Sequence, residues 1–135
     1  MVVSPDRIWS KEIGASAEEI QEFEDALPFD LPRQYLDLLR FTNGGEGELA
    51  LMPLWFQLFP ISGALGRWRN EFFRKEFPTL FFFGTNGGLE SIAFEIHQSR
   101  PWPIIAVDCI AGMSSAEVIA PDIVAFISAI GNKAS

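Results

Sequence analysis

The sequence predicts an α+β domain, an antiparallel sheet flanked by N-terminal helices, one inserted helix and a C-terminal helix. Three observations lead there. Apolar residues recur at helical spacing near both ends of the chain and once in the middle. Ile92, Phe94 and Ile96 alternate with Ser91, Ala93 and Glu95, the pattern of a strand with one buried face. The connections are too short for regular βαβ crossovers, so the strands should pair antiparallel.

The elements follow in order. Ser16-Ala17-Glu18-Glu19 is a capping box, and Ile20, Phe23 and Leu27 continue it at helical spacing until Pro28. Leu31-Pro32 opens a second helix, because proline suits a first turn that needs no N–H. Tyr35, Leu38, Leu39 and Thr42 share one side of it, with Leu36 at the edge. Asn43-Gly44-Gly45 should end it, since Asn and Gly tolerate the left-handed conformation. Glu48 to Met52 and Phe56 to Ile61 read as strands separated by Pro53. Ser62 is placed to cap a third helix from about Gly63 to Glu76, with Leu65, Trp68, Phe72 and Phe73 as its apolar face. Pro78 marks its end.

Leu80 to Phe83 is wholly apolar, as in a buried strand. Thr85-Asn86-Gly87-Gly88 is a turn into the strand at Ser91 to Ile96. Pro103 to Val107 is a further strand, and Met113 to Ile119 holds a turn and a last short strand. Pro121 opens the final helix, with Ile123, Phe126, Ile127 and Ile130 as its stripe, and Gly131-Asn132 closes it.

A chain of 135 residues is the size of one domain, here expected to span residues 1–135. Hydrophobic residues are 48% and charged residues 21%, which excludes a disordered chain. One cysteine, Cys109, rules out an internal disulfide and fits a reducing compartment. The N-terminus, Met-Val-Val-Ser-Pro-Asp-Arg-Ile-Trp, lacks a basic region followed by an apolar run, so no signal peptide is expected. A cytoplasmic location is therefore expected. Leu49 to Gly66 is uncharged, but Pro53 and Pro60 would break a spanning helix, so no membrane partner is expected. The net charge of −8 argues against direct nucleic-acid binding, which needs clustered Lys and Arg. Acidity serves solubility in many proteins, and it also attracts a basic protein partner.

Four segments form an ordered set along the chain. The first runs from Leu31-Pro32-Arg33-Gln34-Tyr35 through Leu39 into Thr42-Asn43-Gly44-Gly45. The second is Phe83-Gly84-Thr85-Asn86-Gly87-Gly88-Leu89-Glu90-Ser91-Ile92-Ala93-Phe94-Glu95. The third is Ile104 to Asp108, and the fourth is Ile119-Ala120-Pro121-Asp122 through Ile127. Together the four resemble the SUKH superfamily, which includes fungal regulators of cell-wall assembly and many bacterial toxin-immunity proteins. Leu89 stands where the family often has a third Gly, and Glu95 where Asp is frequent. The structural motif residues are Leu31, Pro32, Asn43, Gly44, Gly45, Asn86, Gly87 and Gly88. A glycine-rich phosphate loop is the other reading of the two turns, but no Lys-Ser or Lys-Thr follows either one.

No catalytic group, cofactor site or metal site is expected. His97 is the only histidine, and no His or Cys spacing of a metal site is present. Cys109 reads as a packed thiol without an activating base. Glu18, Glu19, Glu22, Glu24 and Asp25 spread around a helix and read first as a solvated face. Candidate partner-binding residues are Glu46, Glu48, Trp55, Trp68, Glu90 and Glu95, an acidic set with Trp anchors. The resemblance implies an immunity protein that binds a cognate toxin, a basic domain such as a nuclease. The alternatives are a housekeeping adaptor without a toxin and, more remotely, a small enzyme or ligand-binding domain. The sequence does not set the oligomeric state.

Overall fold

Leu80 to Phe83 is apolar at every position because both faces of its strand are covered. Leu80 and Phe82 point to one side, and Phe81 and Phe83 to the other. In the computed structural model, which describes residue 3 and residues 6–133, this strand is β4 (Leu80–Thr85). The N-terminal segment read for a leader lies partly outside those residues, at Met1, Val2, Ser4 and Pro5.

Among the described residues, β4 sits at the centre of a seven-stranded antiparallel sheet ordered β1 to β7 as in the chain. The others are β1 (Trp9–Ser10), β2 (Glu46–Glu48), β3 (Trp55–Leu58), β5 (Glu90–Glu95), β6 (Ile104–Asp108) and β7 (Glu117–Ala120). The helices are α1 (Ala17–Asp25), α2 (Arg33–Phe41), α3 (Ile61–Arg69), α4 (Glu71–Glu76) and α5 (Ile123–Ala129). The α+β expectation with an antiparallel sheet therefore holds.

The main core lies between the sheet and α1, α2, α3 and α5. It is an aromatic stack: Phe83 lies on Phe94 at 4.5 Å, Tyr35 meets both edge-on, and Phe56 meets Phe126 at 4.9 Å. A smaller core on the other face joins Leu80, Phe82, Ala93, Ile105 and Val107 to Phe73 and Phe77 from α4 and the turn after it. The capping box forms as read: Ser16 Oγ accepts from the Glu19 N–H, and Glu19 accepts from the Ser16 N–H.

Several boundaries differ from the sequence reading. β1 was not expected, because two residues carry no periodicity. The strand expected over Glu48 to Met52 is instead Glu46–Glu48. Leu49 leaves the ladder to bridge Ile130, and residues 51–54 turn around a cis Met52–Pro53 bond, with Leu54 at φ +75. The strand expected over Phe56 to Ile61 ends at Leu58, because Pro60 precedes a helix whose first N–H, at Ile61, donates to Asn43 Oδ1 at 2.9 Å. Ser62 is therefore not the cap; Asn43 caps α3 from 18 residues away.

The inserted helix is two helices. Asn70 adopts an extended conformation between them, and its side chain accepts from the Phe73 N–H. The break sends Leu65 and Trp68 to the main core and Phe73 to the smaller one, and it leaves Phe72 exposed. α2 ends at Phe41, with Thr42 extended, so Asn43-Gly44-Gly45 follows the helix end rather than forming it. α5 is capped by Asp122, which accepts from the Ala125 N–H, rather than opened by Pro121. Among the described residues, no helix is long and apolar enough to cross a membrane.

Candidate protein-binding surface

At one end of the sheet the helices stop short and leave a cleft of about 530 Å³. Strand register explains its lining. Glu90 pairs with Asp108, and Glu117 pairs with Ala106, two residues before Asp108. Residues directly opposite in an antiparallel pair share a face, so Glu90, Asp108 and Glu117 project together on the helix side. Met52 and Leu89, both exposed, join the lining. Glu90 and Asp108, like charges directly opposite each other, repel. Asp108 is partly offset, because it accepts from the Ile110 N–H at 2.8 Å and the Ala111 N–H at 3.1 Å. None of β2 to β7 contains a Lys or Arg.

Asn86 also lines the cleft. Its Oδ1 accepts from the Gly88 N–H at 2.8 Å and the Glu90 N–H at 3.2 Å, which fixes the turn that delivers Glu90. Only Gly87 of this turn is left-handed, at φ +82; Gly88 is not.

Glu46, Glu48 and Trp55 meet on the opposite face of the sheet. Glu46 pairs with Gln57 and Glu48 with Trp55. Trp55 Nε1 donates to Glu46 Oε1 at 3.1 Å, and Gln57 Nε2 donates to the same oxygen at 3.4 Å. This patch lies at the same end of the sheet as the cleft, because the β2–β3 and β4–β5 connections leave from that end.

The other sequence candidates lie elsewhere. Glu95 accepts from Thr79 Oγ1 at 2.9 Å and from the His97 N–H at 3.1 Å, holding the turn after β5. Trp68 is half-buried in the aromatic core, 5.2 Å from Phe29 and 5.9 Å from Phe81, under the Arg74 guanidinium at 3.8 Å. Leu31 is buried, Pro32 precedes α2, and Gly44 and Gly45 are left-handed at φ +115 and +99. Sequence reading does not single out Glu117; it takes Met52 as the end of a strand, Leu89 as a departure from the family's glycine, and Asp108 only as part of a strand. The available signal was the run from 101 to 132, which has no Lys or Arg.

His97 is exposed. Cys109 is half-buried, and its thiol donates to Ser91 Oγ at 3.3 Å. Arg67 donates to the same oxygen at 3.2 Å, with its guanidinium 4.1 Å from the Phe73 ring centre. Burial lowers the Arg67 pKa, and Cys109 opposes that shift. Among the described residues, no group of three or more His, Cys, Asp or Glu is placed to hold a metal ion. A second cleft, of about 390 Å³, is more apolar, with Pro32, Trp102 and Ile123 in its lining; its carboxylate, Asp122, is engaged as the α5 cap.

No curated protein matches the chain. A family model described as SMI1 / KNR4 family (SUKH-1) matches residues 14–129, from just before α1 to the last residue of α5. Such membership supports a protein-interaction or immunity-type role. With the match running through every helix and six of the seven strands, the chain belongs to the SMI1 / KNR4 family (SUKH-1), as the resemblance in its sequence implied.

Proposed function

We propose that the chain is a non-catalytic protein-binding domain in the cytoplasm, an immunity protein that seats on a basic toxin domain and blocks it. The observation that carries this reading is the cleft in which Glu90, Asp108 and Glu117 share one face, beside exposed Met52 and Leu89. Like-signed carboxylates around a concavity focus a negative potential and steer a basic partner toward it. The apolar residues beside them supply area to bury once the partner arrives. Glu46 and Glu48 on the other face extend the negative potential around the same end of the sheet.

The mechanism is occlusion: the toxin surface meant for its substrate is covered, and charge complementarity sets speed and specificity. Co-expression with the toxin domain encoded beside this chain tests it. Growth should be restored, and the two chains should purify as a complex that weakens as salt rises. Unrelieved toxicity with no complex would overturn the reading. The adaptor alternative then gains weight, since it requires a protein partner but no toxin.

A further inference from the structure

The sheet has two edges, β1 and β7. β1 is only two residues long, and the chain before it is tied down: the Ile8 N–H donates to the Gly131 carbonyl, and Arg7 donates to the carbonyls of Ile127 and Ile130. β7 is longer and open. Its one ladder partner is β6, and no other backbone hydrogen bond reaches residues 117–120 among the described residues. Natural edge strands are protected by charged side chains, Pro, bulges or very short length. In β7 the ladder irregularity and the following Pro121 both lie toward the Ala120 end. At Glu117 and Val118 the one guard is the Glu117 charge, which turns away acidic strands and admits a basic one, and Val118 is 65% exposed.

We infer that the partner docks on β7 by adding an extended segment to the sheet, with basic and apolar residues in alternation. This inference rests on the reading of the chain as a binding domain for a basic protein. The edge supplies backbone hydrogen bonds, and alternation supplies specificity. On the helix side, side chains of an added strand land beside Glu117 and Ile119, over the cleft that holds Glu90 and Asp108. On the other side they land beside Val118. The helix side therefore selects Lys or Arg, and the Val118 side selects apolar residues. Charge opposes a second copy as the occupant, because self-pairing would bring two acidic clefts and two chains of net charge −8 together.

The probe is a short peptide alternating lysine and valine, N-methylated at every second residue so that only one edge stays competent and it cannot stack beyond a pair. Its control has the same sequence with both edges N-methylated. Binding of the first should slow amide exchange at residues 117–120, and the control should bind about ten-fold more weakly at equal salt, since it keeps charge but loses the ladder. Glu117→Lys should weaken the first peptide by about ten-fold. Equal binding of probe and control, or protection confined to other segments, would overturn the inference. Toxin co-expression separates it from the immunity reading. If the toxin is not neutralised but the peptide protects β7, the edge stands and the immunity reading falls. If Val118→Lys, folded as judged by an unchanged Tm, still neutralises as well as the parent chain, the edge falls and the immunity reading stands.

Discussion

At Asn43-Gly44-Gly45 both glycines are left-handed, whereas at Asn86-Gly87-Gly88 only Gly87 is. The difference extends to what surrounds them. A Cβ on Gly45 would lie 2.5 Å from the Ser10 carbonyl oxygen, while a Cβ on Gly88 would meet only the Asn86 side chain, at 3.4 Å. Asn43 reaches across to cap α3, but Asn86 caps its own turn. One tripeptide thus serves twice: the first copy locks β1, β2 and α3 together, and the second presents Glu90 at the acidic cleft. Identical residues do not imply identical roles, because partners at long range decide which copy is scaffold.

Substitutions sharpen this contrast. Gly45→Ala should cost the most, about 3 kcal/mol or more by chemical denaturation, since a left-handed backbone and a backbone clash coincide there. Asn43→Ala should cost about 1–2 kcal/mol, because the Ile61 N–H loses its cap. Tyr35, on the helix that delivers the first hinge, comes next. Among the described residues its fully buried hydroxyl has no hydrogen-bond partner, and desolvation raises its pKa well above the usual value of about 10. A raised folded pKa means that stability is intact below pH of about 10 and falls as pH rises above it, where only the unfolded chain ionises. Tyr35→Phe should therefore gain up to about 1 kcal/mol at neutral pH and soften the alkaline decline, measured by denaturation across pH. Gly88→Ala should change stability by less than about 0.5 kcal/mol. A large loss at Gly88, or none at Gly45, would erase the distinction between the hinges.

Much of the fold was legible because it rests on local signals. The Ser16 capping box, the α2 stripe around Tyr35 and Leu39, and the alternation at Ile92 and Phe94 each follow from short-range chemistry. What sequence missed depends on partners far apart in the chain. β1 has two residues and exists through Gly47 and Glu46. The α3 cap is supplied by Asn43, so Ser62 misled. Of the candidate site, Glu46, Glu48 and Trp55 were chosen and do meet, since cross-strand register places them together. Glu90 needed Asp108 and Glu117 beside it, and that grouping appears only once β5, β6 and β7 are in register. Trp68 was chosen for its residue type, but its packing against Phe29 and Phe81 gives it a core role.

On the proposed reading, the partner sits on the open acidic end of the sheet while the first hinge remains scaffold. Amide hydrogen exchange of the chain alone and in complex with the toxin domain it is proposed to bind tests it most directly. Protection should rise at residues 86–90 and 117–120 and stay unchanged at 43–45. Protection confined to α1 and α2, with 86–90 and 117–120 exchanging as in the free chain, would contradict it.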